Sequence, residues 1–261
     1  LRLSAANIVF MIDTIERFSN RVANYVKYRP DYPREIIGYL EANCGLTRES
    51  VIADVGCGTG ISTKMFLENG NRVFGVEPNA AMLEVAQDYL ASFPNSIAID
   101  GRSDDTTLPS DSVDLVVAAQ AFHWFDAEKT RPEFRRILKP GGHIVLIWNE
   151  RQLDTTPFLV EYEALLLKYA DDYAHVRHEN IHAKEIGDFF QKEYGSATFA
   201  NQQVFDFEGL KGRMLSASYM PSENDPQFDN VIKELSLLFA KHAENGKIKI
   251  FYDTNLYHSQ F

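Results

Sequence analysis

The chain has 261 residues, 45% of them hydrophobic, and acidic residues outnumber basic ones by 37 to 26. This length and composition suit one α/β domain with a substantial core. The net charge of −11, without any basic run, argues against a nucleic-acid partner, because such partners require positive protein surface. No apolar run approaches the ~20 residues that span a membrane. Two cysteines are too few for a disulfide framework and favour a reducing, cytoplasmic location.

The first segment of the chain, Leu1–Phe10, carries no structured motif. It resembles no signal peptide, and Met11 is a candidate for the natural start. We predict that residues 1–17 are disordered or foreign to the natural chain and that residues 18–150 form a cofactor-binding core. Residues 151–261 then add a helical cover and the final strands of the same single domain.

A strand that runs into a glycine-rich loop is the most informative feature of the sequence. Val51–Val55 suits a buried strand, and the loop behind it has glycines at positions 56, 58 and 60. Glycine adopts positive φ at low cost and lets the backbone approach a ligand, so the pattern indicates a nucleotide-type cofactor site. Ile61 replaces the third glycine of the dinucleotide fingerprint G-x-G-x-x-G. Asp54 would repel a pyrophosphate and suits a ligand with an ammonium or sulfonium charge.

A second βα unit follows this loop. Arg72–Val76 predicts a short strand that leads to Glu77, and an acidic residue at this strand tip is the expected partner of a ribose diol. Asn79 is predicted to be a helix N-cap, because apolar residues follow it in the sequence at helical spacing. These apolar positions are Met82, Leu83, Ala86, Tyr89 and Leu90.

Strands and helices continue to alternate as far as residue 148. Ile97–Ile99 and Val113–Ala119 predict the third and fourth strands, the fourth almost wholly apolar, as in a sheet covered on both faces. Asp126 predicts the cap of the next helix, Lys139–Gly142 a sharp turn behind it, and His143–Trp148 the fifth strand. This alternation predicts an α/β fold with a doubly wound, mostly parallel sheet and helices on both faces.

The carboxyl-terminal third predicts a helical cover and further strands. Helical patterns extend over Phe158–Tyr169, Glu185–Tyr194 and Gln227–His242. Strand patterns extend over Ala197–Phe205 and Lys247–Tyr257.

Together, these motifs resemble the class I S-adenosylmethionine-dependent methyltransferases. Asp54–Gly60 matches the first motif of that family, and Val76–Asn79 matches its acidic second-strand motif. Three more stretches resemble its small-molecule branch (methyltransferase type 11, trans-aconitate methyltransferase-like), namely Tyr28–Pro33, Gln120–Phe125 and Leu138–Gly142. The resemblance implies a seven-stranded sheet, with the strands at Ala197–Phe205 and Ile248–Tyr252 forming an antiparallel hairpin at its edge.

The resemblance also implies S-adenosyl-L-methionine as the cofactor and S-adenosyl-L-homocysteine as the product. Glu77 is expected to accept hydrogen bonds from the ribose, and Asp104 from the adenine amino group. Asp54 either supports the loop or faces the cofactor's amino group, while Tyr28 and Arg29 close over the cofactor. The expected cofactor-binding residues are Tyr28, Arg29, Asp54, Gly56, Cys57, Gly58, Gly60, Glu77, Pro78, Ser103, Asp104, Gln120 and Ala121.

The methyl acceptor is expected beside His123 and Trp124, which follow the fourth strand. His123 is either a general base toward a hydroxyl or amine, or a residue that only shapes the pocket, because an ionised carboxylate acceptor needs no base. The expected substrate contacts are His123, Trp124, Trp148 and Asn149 after the fifth strand, and Tyr219. No metal site is expected, since His175, His178 and His182 suit a polar surface better than a zinc site.

These features predict a methyltransferase that acts on a small molecule, with a carboxylate acceptor by analogy to that branch. Two alternatives stay open: an O- or C-methyltransferase of a larger apolar metabolite, and an S-adenosylmethionine-binding protein without catalysis. A nicotinamide oxidoreductase is disfavoured by Ile61 and Asp54. Neither a nucleic-acid partner nor membrane insertion is expected, and the sequence does not indicate an oligomeric state.

Overall fold

A computed structural model of the chain describes residues 27–170, 183–217 and 219–261. The predictions for residues 1–17 and for His175, His178 and His182 lie outside these ranges. The strands are β1 (Val51–Val55), β2 (Arg72–Val76), β3 (Ser96–Ile99), β4 (Val113–Ala119), β5 (Leu138–Arg151), β6 (Gly195–Phe205) and β7 (Ile248–Gln260). The helices are α1 (Glu35–Cys44), α2 (Ile61–Asn69), α3 (Ala80–Tyr89), α4 (Ala127–Ile137), α5 (Pro157–Tyr169), α6 (Ala183–Phe190), α7 (Phe207–Leu215) and α8 (Phe228–His242).

The seven strands form one sheet in the order β3-β2-β1-β4-β5-β7-β6. Strands β3, β2, β1, β4 and β5 pair in parallel, and β7 pairs antiparallel to β5. The order reverses between β1 and β4, where an open α/β sheet leaves a crevice at the carboxyl ends of its strands. The predicted mostly parallel, doubly wound sheet with an antiparallel final strand is therefore confirmed.

The sheet is buried on both faces. Alternate residues of β4 point to opposite sides, so Val116 and Ala118 join one apolar cluster while Leu115 and Val117 join the other. Strand β4 is consequently apolar along almost its whole length, as its sequence predicts.

Strand β5 is longer than the sequence predicts, and the predicted sharp turn at residues 139–142 lies inside it: a Cβ on Gly142 would lie 3.0 Å from the Lys139 carbonyl oxygen. Val113 of β4 pairs with Leu138, and Leu115 pairs with His143, so two residues of β4 face five residues of β5. Residues 139–142 therefore form a bulge inside the strand, with Gly141 at φ +82°. Antiparallel pairing with β7 then carries β5 on to Arg151.

Two helix caps agree with the sequence, and one helix is shorter than expected. The side chains of Asn79 and Asp126 accept hydrogen bonds from the first turns of α3 and α4, as predicted. Helix α6 ends at Phe190 rather than Tyr194, because Gln191 has φ +54°, a left-handed conformation that ends a helix.

The chain divides into two compact units. One comprises residues 1–29, 152–177 and 203–250, and the other residues 30–151, 178–202 and 251–261. In the first unit α5 and α8 pack together, and Glu234 accepts hydrogen bonds from Lys168 and Tyr169. The second unit holds β1 to β5 and the helices α1 to α4 and α6. Among the described residues, no helix has the length and apolarity to cross a membrane. The single domain stays a prediction.

Candidate active site

The three loop glycines have positive φ, but only Gly58 has room for a Cβ without overlap. Gly56, Gly58 and Gly60 have φ values of +72°, +56° and +87°. A Cβ on Gly56 would lie 2.6 Å from the Cβ of Ala121, and a Cβ on Gly60 would lie 2.7 Å from Leu90. A Cβ on Gly58 would meet only the sulfur of Met82, at 3.9 Å, among the described residues. Gly56 and Gly60 thus permit close packing, and Gly58 leaves room for a ligand.

The backbone amides of this loop donate hydrogen bonds inside the protein. Those of Gly56 and Cys57 donate to the carbonyl of Val76 at 2.8 and 3.2 Å, and that of Gly60 donates to the carbonyl of Cys57 at 2.9 Å. The Gly58 amide donates to Oε2 of Glu77, which directly follows β2, at 2.9 Å. A phosphate-binding loop instead directs its amides toward the ligand. The loop therefore does not suit a pyrophosphate.

Asp54 is fully buried at the end of β1 and supports the loop. Its Oδ2 accepts hydrogen bonds from the hydroxyls of Ser62 and Thr63 at 2.7 and 2.6 Å. Its Oδ1 is buried and has no hydrogen-bond partner among the described residues. Burial raises the pKa of Asp54 to about 6, against the opposing effect of the two hydroxyls. Sequence reasoning overlooked these hydroxyls, although two adjacent ones at a helix start are a readable signal.

Glu77 is also buried and links the loop to α3. Its Oε2 accepts the Gly58 amide, and its Oε1 accepts the Asn79 amide at 2.9 Å. Burial raises the pKa of Glu77; these hydrogen bonds oppose the shift, and the nearby charge of Asp54 adds to it. A carboxylate offers about four acceptor sites, so Glu77 keeps capacity for two more hydrogen bonds.

The two carboxylates create a negative site. Neither Asp54 nor Glu77 forms an ion pair with a described lysine, arginine or histidine. Cys57 lies between them in sequence, and burial and then both carboxylates raise the pKa of its thiol. Its side chain packs against Gly75 of β2, where a Cβ would lie 3.1 Å from the sulfur. The backbone N–H and C=O of Cys57 are hydrogen-bonded inside the protein, so its contact with a cofactor stays a prediction, and the two carboxylates favour a cation electrostatically.

The end of β4 forms the opposite wall of the crevice. Gln120 has φ +55°, and its side-chain amide donates to the carbonyl of Asn149 at 3.0 Å. Its Oε1 is buried without a hydrogen-bond partner in the described part of the chain. Ala121 is buried against the glycine loop. The two residues predicted to contact the cofactor thus lie beside the loop.

A short 3₁₀ turn, Phe122–Trp124, follows β4. Phe122 is buried and packs edge-to-face against Phe125, Trp148 and Phe189. This packing leaves His123 half-buried and Trp124 42% exposed, with their ring centroids 4.7 Å apart. An exposed indole beside a histidine suits a surface that binds another molecule.

Two of the predicted substrate contacts are buried. Trp148 lies inside β5, not after it, and is only 1% exposed in the core beside Phe122 and Tyr257. Asn149 is 5% exposed; its amide donates to the Asp31 carbonyl, and its Oδ1 accepts from Thr254 at 2.5 Å and from Asn201 at 3.1 Å. The Trp148 side chain is thus confined by burial and the Asn149 side chain by hydrogen bonds, and contact of either with a substrate stays a prediction.

The predicted adenine-binding segment follows β3. The Ser103 hydroxyl lies 2.8 Å from that of Thr130, and Asp104 pairs with Arg102 at 3.0 Å. Ser103 and Asp104 are both half-buried. The exposed Pro78 follows the tip of β2. The contacts of these residues with a cofactor stay predictions.

A buried clamp that the sequence analysis missed fixes the loop after β3. Glu133 of α4 accepts hydrogen bonds from the amide and hydroxyl of Thr106 at 2.8 and 2.5 Å. It also receives two hydrogen bonds of 2.7 Å from Arg136. Burial alone would raise the pKa of Glu133, but Arg136 and Thr106 outweigh it and lower the pKa to about 2.

Three predicted site residues belong to the first compact unit. There Arg29 donates to the Ser216 carbonyl at 3.2 Å, and the carbonyl of Tyr28 accepts from Gln203 at 3.1 Å. A Cβ on Gly212 would overlap the Tyr28 ring, so this glycine makes room for the tyrosine. Tyr219 is half-buried in the same unit. Contacts of Tyr28, Arg29 and Tyr219 with a ligand stay predictions.

Comparisons with known proteins agree with this arrangement. A family model described as a methyltransferase domain matches residues 53–146. An uncharacterized methyltransferase from Geobacillus kaustophilus is 30% identical over 162 residues, which cover 59% of this chain and 73% of that protein. The chain belongs to the class I S-adenosylmethionine-dependent methyltransferases. S-adenosylmethionine is the cofactor of that family.

A solved structure and a further sequence relative also resemble the chain. The solved structure of a candidate type II methyltransferase from Anaeromyxobacter dehalogenans superposes with a TM-score of 0.68 at 19% identity, covering 89% of this chain and 98% of that one. An uncharacterized methyltransferase from Mycobacterium tuberculosis is 37% identical over 134 residues, 51% of this chain. The match spans 52%, about half, of that relative. The trans-aconitate-like branch stays a prediction.

The residues of this methyltransferase site fit the family cofactor. S-adenosylmethionine carries an ammonium, a sulfonium and a ribose diol. Buried Asp54 offers an acceptor oxygen without a partner among the described residues, and Glu77 has spare acceptor capacity. The buried carboxylates favour the cationic groups electrostatically. The amides of Gly56, Cys57, Gly58 and Gly60 donate to protein acceptors, so they offer no hydrogen bonds to a phosphate.

Proposed function

We propose that this methyltransferase transfers a methyl group from S-adenosylmethionine to a small-molecule acceptor. The proposal rests above all on the two buried carboxylates that flank the glycine loop without an ion-pair partner among the described residues. Burying carboxylates without a counter-charge is costly, and a cationic ligand offsets that cost. When bound, the cofactor supplies a methyl group activated for displacement.

The protein's own residues then bind and orient the cofactor. Asp54 holds the loop through two hydroxyls and directs Oδ1 to the ammonium, while Glu77 accepts from the ribose hydroxyls. Gly58 lets the backbone approach the ligand. The Glu133 clamp fixes the segment of Ser103 and Asp104 that we assign to the adenine edge. Positioning of this kind supplies a large share of the rate enhancement in group transfer.

We place the acceptor beside the 3₁₀ turn, at His123 and Trp124. The exposed indole covers an apolar part of the acceptor, and His123 hydrogen-bonds its polar group. A carboxylate acceptor is already ionised at neutral pH, so His123 then orients it without removing a proton. A hydroxyl acceptor would require His123 as a base, which leaves an O-methyltransferase of a larger metabolite as the second candidate.

The first experiment is calorimetric titration of the full chain with S-adenosylmethionine, S-adenosylhomocysteine and NAD. We expect both adenosyl ligands to bind and NAD not to bind. Glu77→Ala should weaken binding by about 10- to 100-fold, because it removes hydrogen bonds to an ionised acceptor. The control is Glu84→Ala, which removes an exposed carboxylate from α3.

Equal affinity of Glu77→Ala and the parent chain would contradict the assignment of Glu77, and tight NAD binding would contradict the function. If the cofactor binds, a screen of carboxylate and phenolic acceptors follows. Binding with no turnover on any acceptor would favour the non-catalytic alternative. A cytoplasmic location and the absence of a nucleic-acid partner remain predictions from cysteine content and charge.

A further inference from the structure

Three metal-ligating side chains converge well away from the crevice. Cys44 is the last residue of α1, His143 lies in the first half of β5, and His258 lies near the end of β7. One ligand atom from each residue, a sulfur and two ring nitrogens, lies within 4.8 Å of the other two. We propose that Cys44, His143 and His258, here called the Cys44 cluster, bind a Zn²⁺ ion.

The strand register brings the two histidines together. His143 pairs with Gln260, and Val145 pairs with His258. Residues 143 and 145 share one face of β5, so the two imidazoles are diagonal neighbours on that face. Their ring centroids lie 6.2 Å apart. Three separate elements therefore converge on the cluster.

The ligand types suit Zn²⁺, which binds cysteine sulfur at about 2.3 Å and histidine nitrogen at about 2.0 Å in tetrahedral sites. Ligand atoms around such an ion lie roughly 3.3 to 3.7 Å apart. Closing the cluster from its present separation of up to 4.8 Å requires movements of about 1 Å, within the reach of side-chain rotation. Hard cations prefer oxygen ligands, so a site of sulfur and imidazole disfavours Mg²⁺ and Ca²⁺.

Neighbouring groups hold the His258 ring in place. The Tyr39 hydroxyl lies 3.1 Å from Nε2 of His258, and the two rings pack edge-to-face with centroids 5.6 Å apart. A Cβ on Gly195 would overlap the imidazole, so this glycine leaves room for the His258 ring in its present position. Outer contacts of this kind orient ligating histidines in metal sites.

The surroundings of the Cys44 cluster determine which of its three side chains must lose a proton before a metal binds. Burial lowers the pKa of both histidines, so both rings are neutral at neutral pH and keep a lone pair for a metal. Burial raises the pKa of the Cys44 thiol to about 12, and a bound metal must displace its proton. Lys192 is the nearby cation that also disfavours protonated His143; its ammonium contacts the Gln260 carbonyl and the Phe261 ring.

The cluster is separate from the proposed cofactor site. Ala119, the last residue of β4, pairs with Ile147 of β5 and so marks the crevice end of the sheet. His143 lies four positions before Ile147 on β5. This spacing is roughly 13 Å along the strand, toward the amino ends of the parallel strands. A metal there would join α1 to β5 and β7 and act on stability rather than on methyl transfer.

The test is titration of the chelator-treated full chain with Co²⁺, a spectroscopic substitute for Zn²⁺, followed by Zn²⁺. We expect one equivalent of Co²⁺ to give a thiolate-to-cobalt band, and Zn²⁺ to abolish it. Cys44→Ser should remove the band, and Tyr39→Phe should weaken Zn²⁺ binding about tenfold by loosening His258. Circular dichroism reports whether each variant folds.

Two controls separate this site from others. Cys57→Ser changes the second buried cysteine and should keep the band. Combined replacement of His175, His178 and His182 by Asn should also keep it. Should Cys44→Ser fail to fold, X-ray absorption of the Zn²⁺-loaded parent chain must show one sulfur and two nitrogen ligands. No binding, a band that survives Cys44→Ser, or one lost in either control would overturn the proposal.

Discussion

Asp54 offers the sharpest test of the proposed site, because its burial has an energetic cost that one substitution can relieve. Its pKa of about 6 in the folded chain exceeds the usual 3.8 by about two units. That difference amounts to about 3 kcal/mol at neutral pH. For an acid whose pKa is raised on folding, stability is highest below the unfolded pKa and falls as pH rises through the folded pKa.

The variant Asp54→Asn removes this titration and keeps the acceptor for Ser62 and Thr63. Its new amide donor replaces Oδ1, and leaving that donor without a partner costs about 1 to 3 kcal/mol at every pH. The pH dependence is therefore a cleaner quantity than the absolute stability. Between about pH 4 and about pH 7, the parent should lose about 2 kcal/mol of unfolding free energy relative to Asp54→Asn.

The assay is urea unfolding of both ligand-free proteins across this range, with calorimetric binding of S-adenosylmethionine beside it. We expect Asp54→Asn to bind the cofactor about 10- to 100-fold more weakly, because a hydrogen bond between charged groups is lost. Asp88→Asn, an exposed position on α3, controls for the loss of one charge. A stability difference that stays constant with pH would refute the burial argument, and unchanged cofactor affinity would refute the role toward the ammonium.

Two further predictions concern stability alone. Glu133→Gln should cost about 2 kcal/mol at neutral pH, a value reduced because its partner Arg136 is 40% exposed. The folded pKa of Glu133, about 2, lies below the usual 4.5, so the parent should lose this advantage as pH falls from about 4.5 toward about 2. Urea unfolding measures the stability of the parent and of Glu133→Gln across this pH range. A stability difference that does not change with pH would contradict the stabilising role of ionised Glu133. Gly56→Ala should destabilise by about 2 to 4 kcal/mol through its positive φ and its overlap with Ala121. Its control, Gly38→Ala in α1, has open space and should stabilise by about 1 kcal/mol; equal melting temperatures of the two variants would contradict this reasoning.

The sheet could be predicted because its signals are local. The apolar run of β4, the glycine loop after β1 and the caps Asn79 and Asp126 each depend on residues close in sequence. The extent of β5 could not, because its bulge follows from pairing with β4 and its extension from pairing with β7. Non-local partners of this kind leave little trace in a single segment.

The site shows the same division. Asp54 and Glu77 could be located from their strand ends, whereas the burial of Trp148 depends on which face of β5 packs inward. Ile144, Leu146 and Trp148 alternate along β5 and join one apolar cluster, and this period of two was the signal that sequence reasoning passed over. The Glu133 clamp joins residues 27 positions apart, which no motif spacing indicates.

The inward-facing amides of the glycine loop bear on competition inside a cell. ATP and NAD carry the same adenosine as S-adenosylmethionine, so an adenine pocket by itself would admit all three. The loop amides of Gly56, Cys57, Gly58 and Gly60 already have protein acceptors, and the carboxylates of Asp54 and Glu77 repel a phosphate chain. We therefore expect the charge of the group attached to the nucleoside to decide selection among adenosine carriers, so that ATP and NAD compete poorly with S-adenosylmethionine.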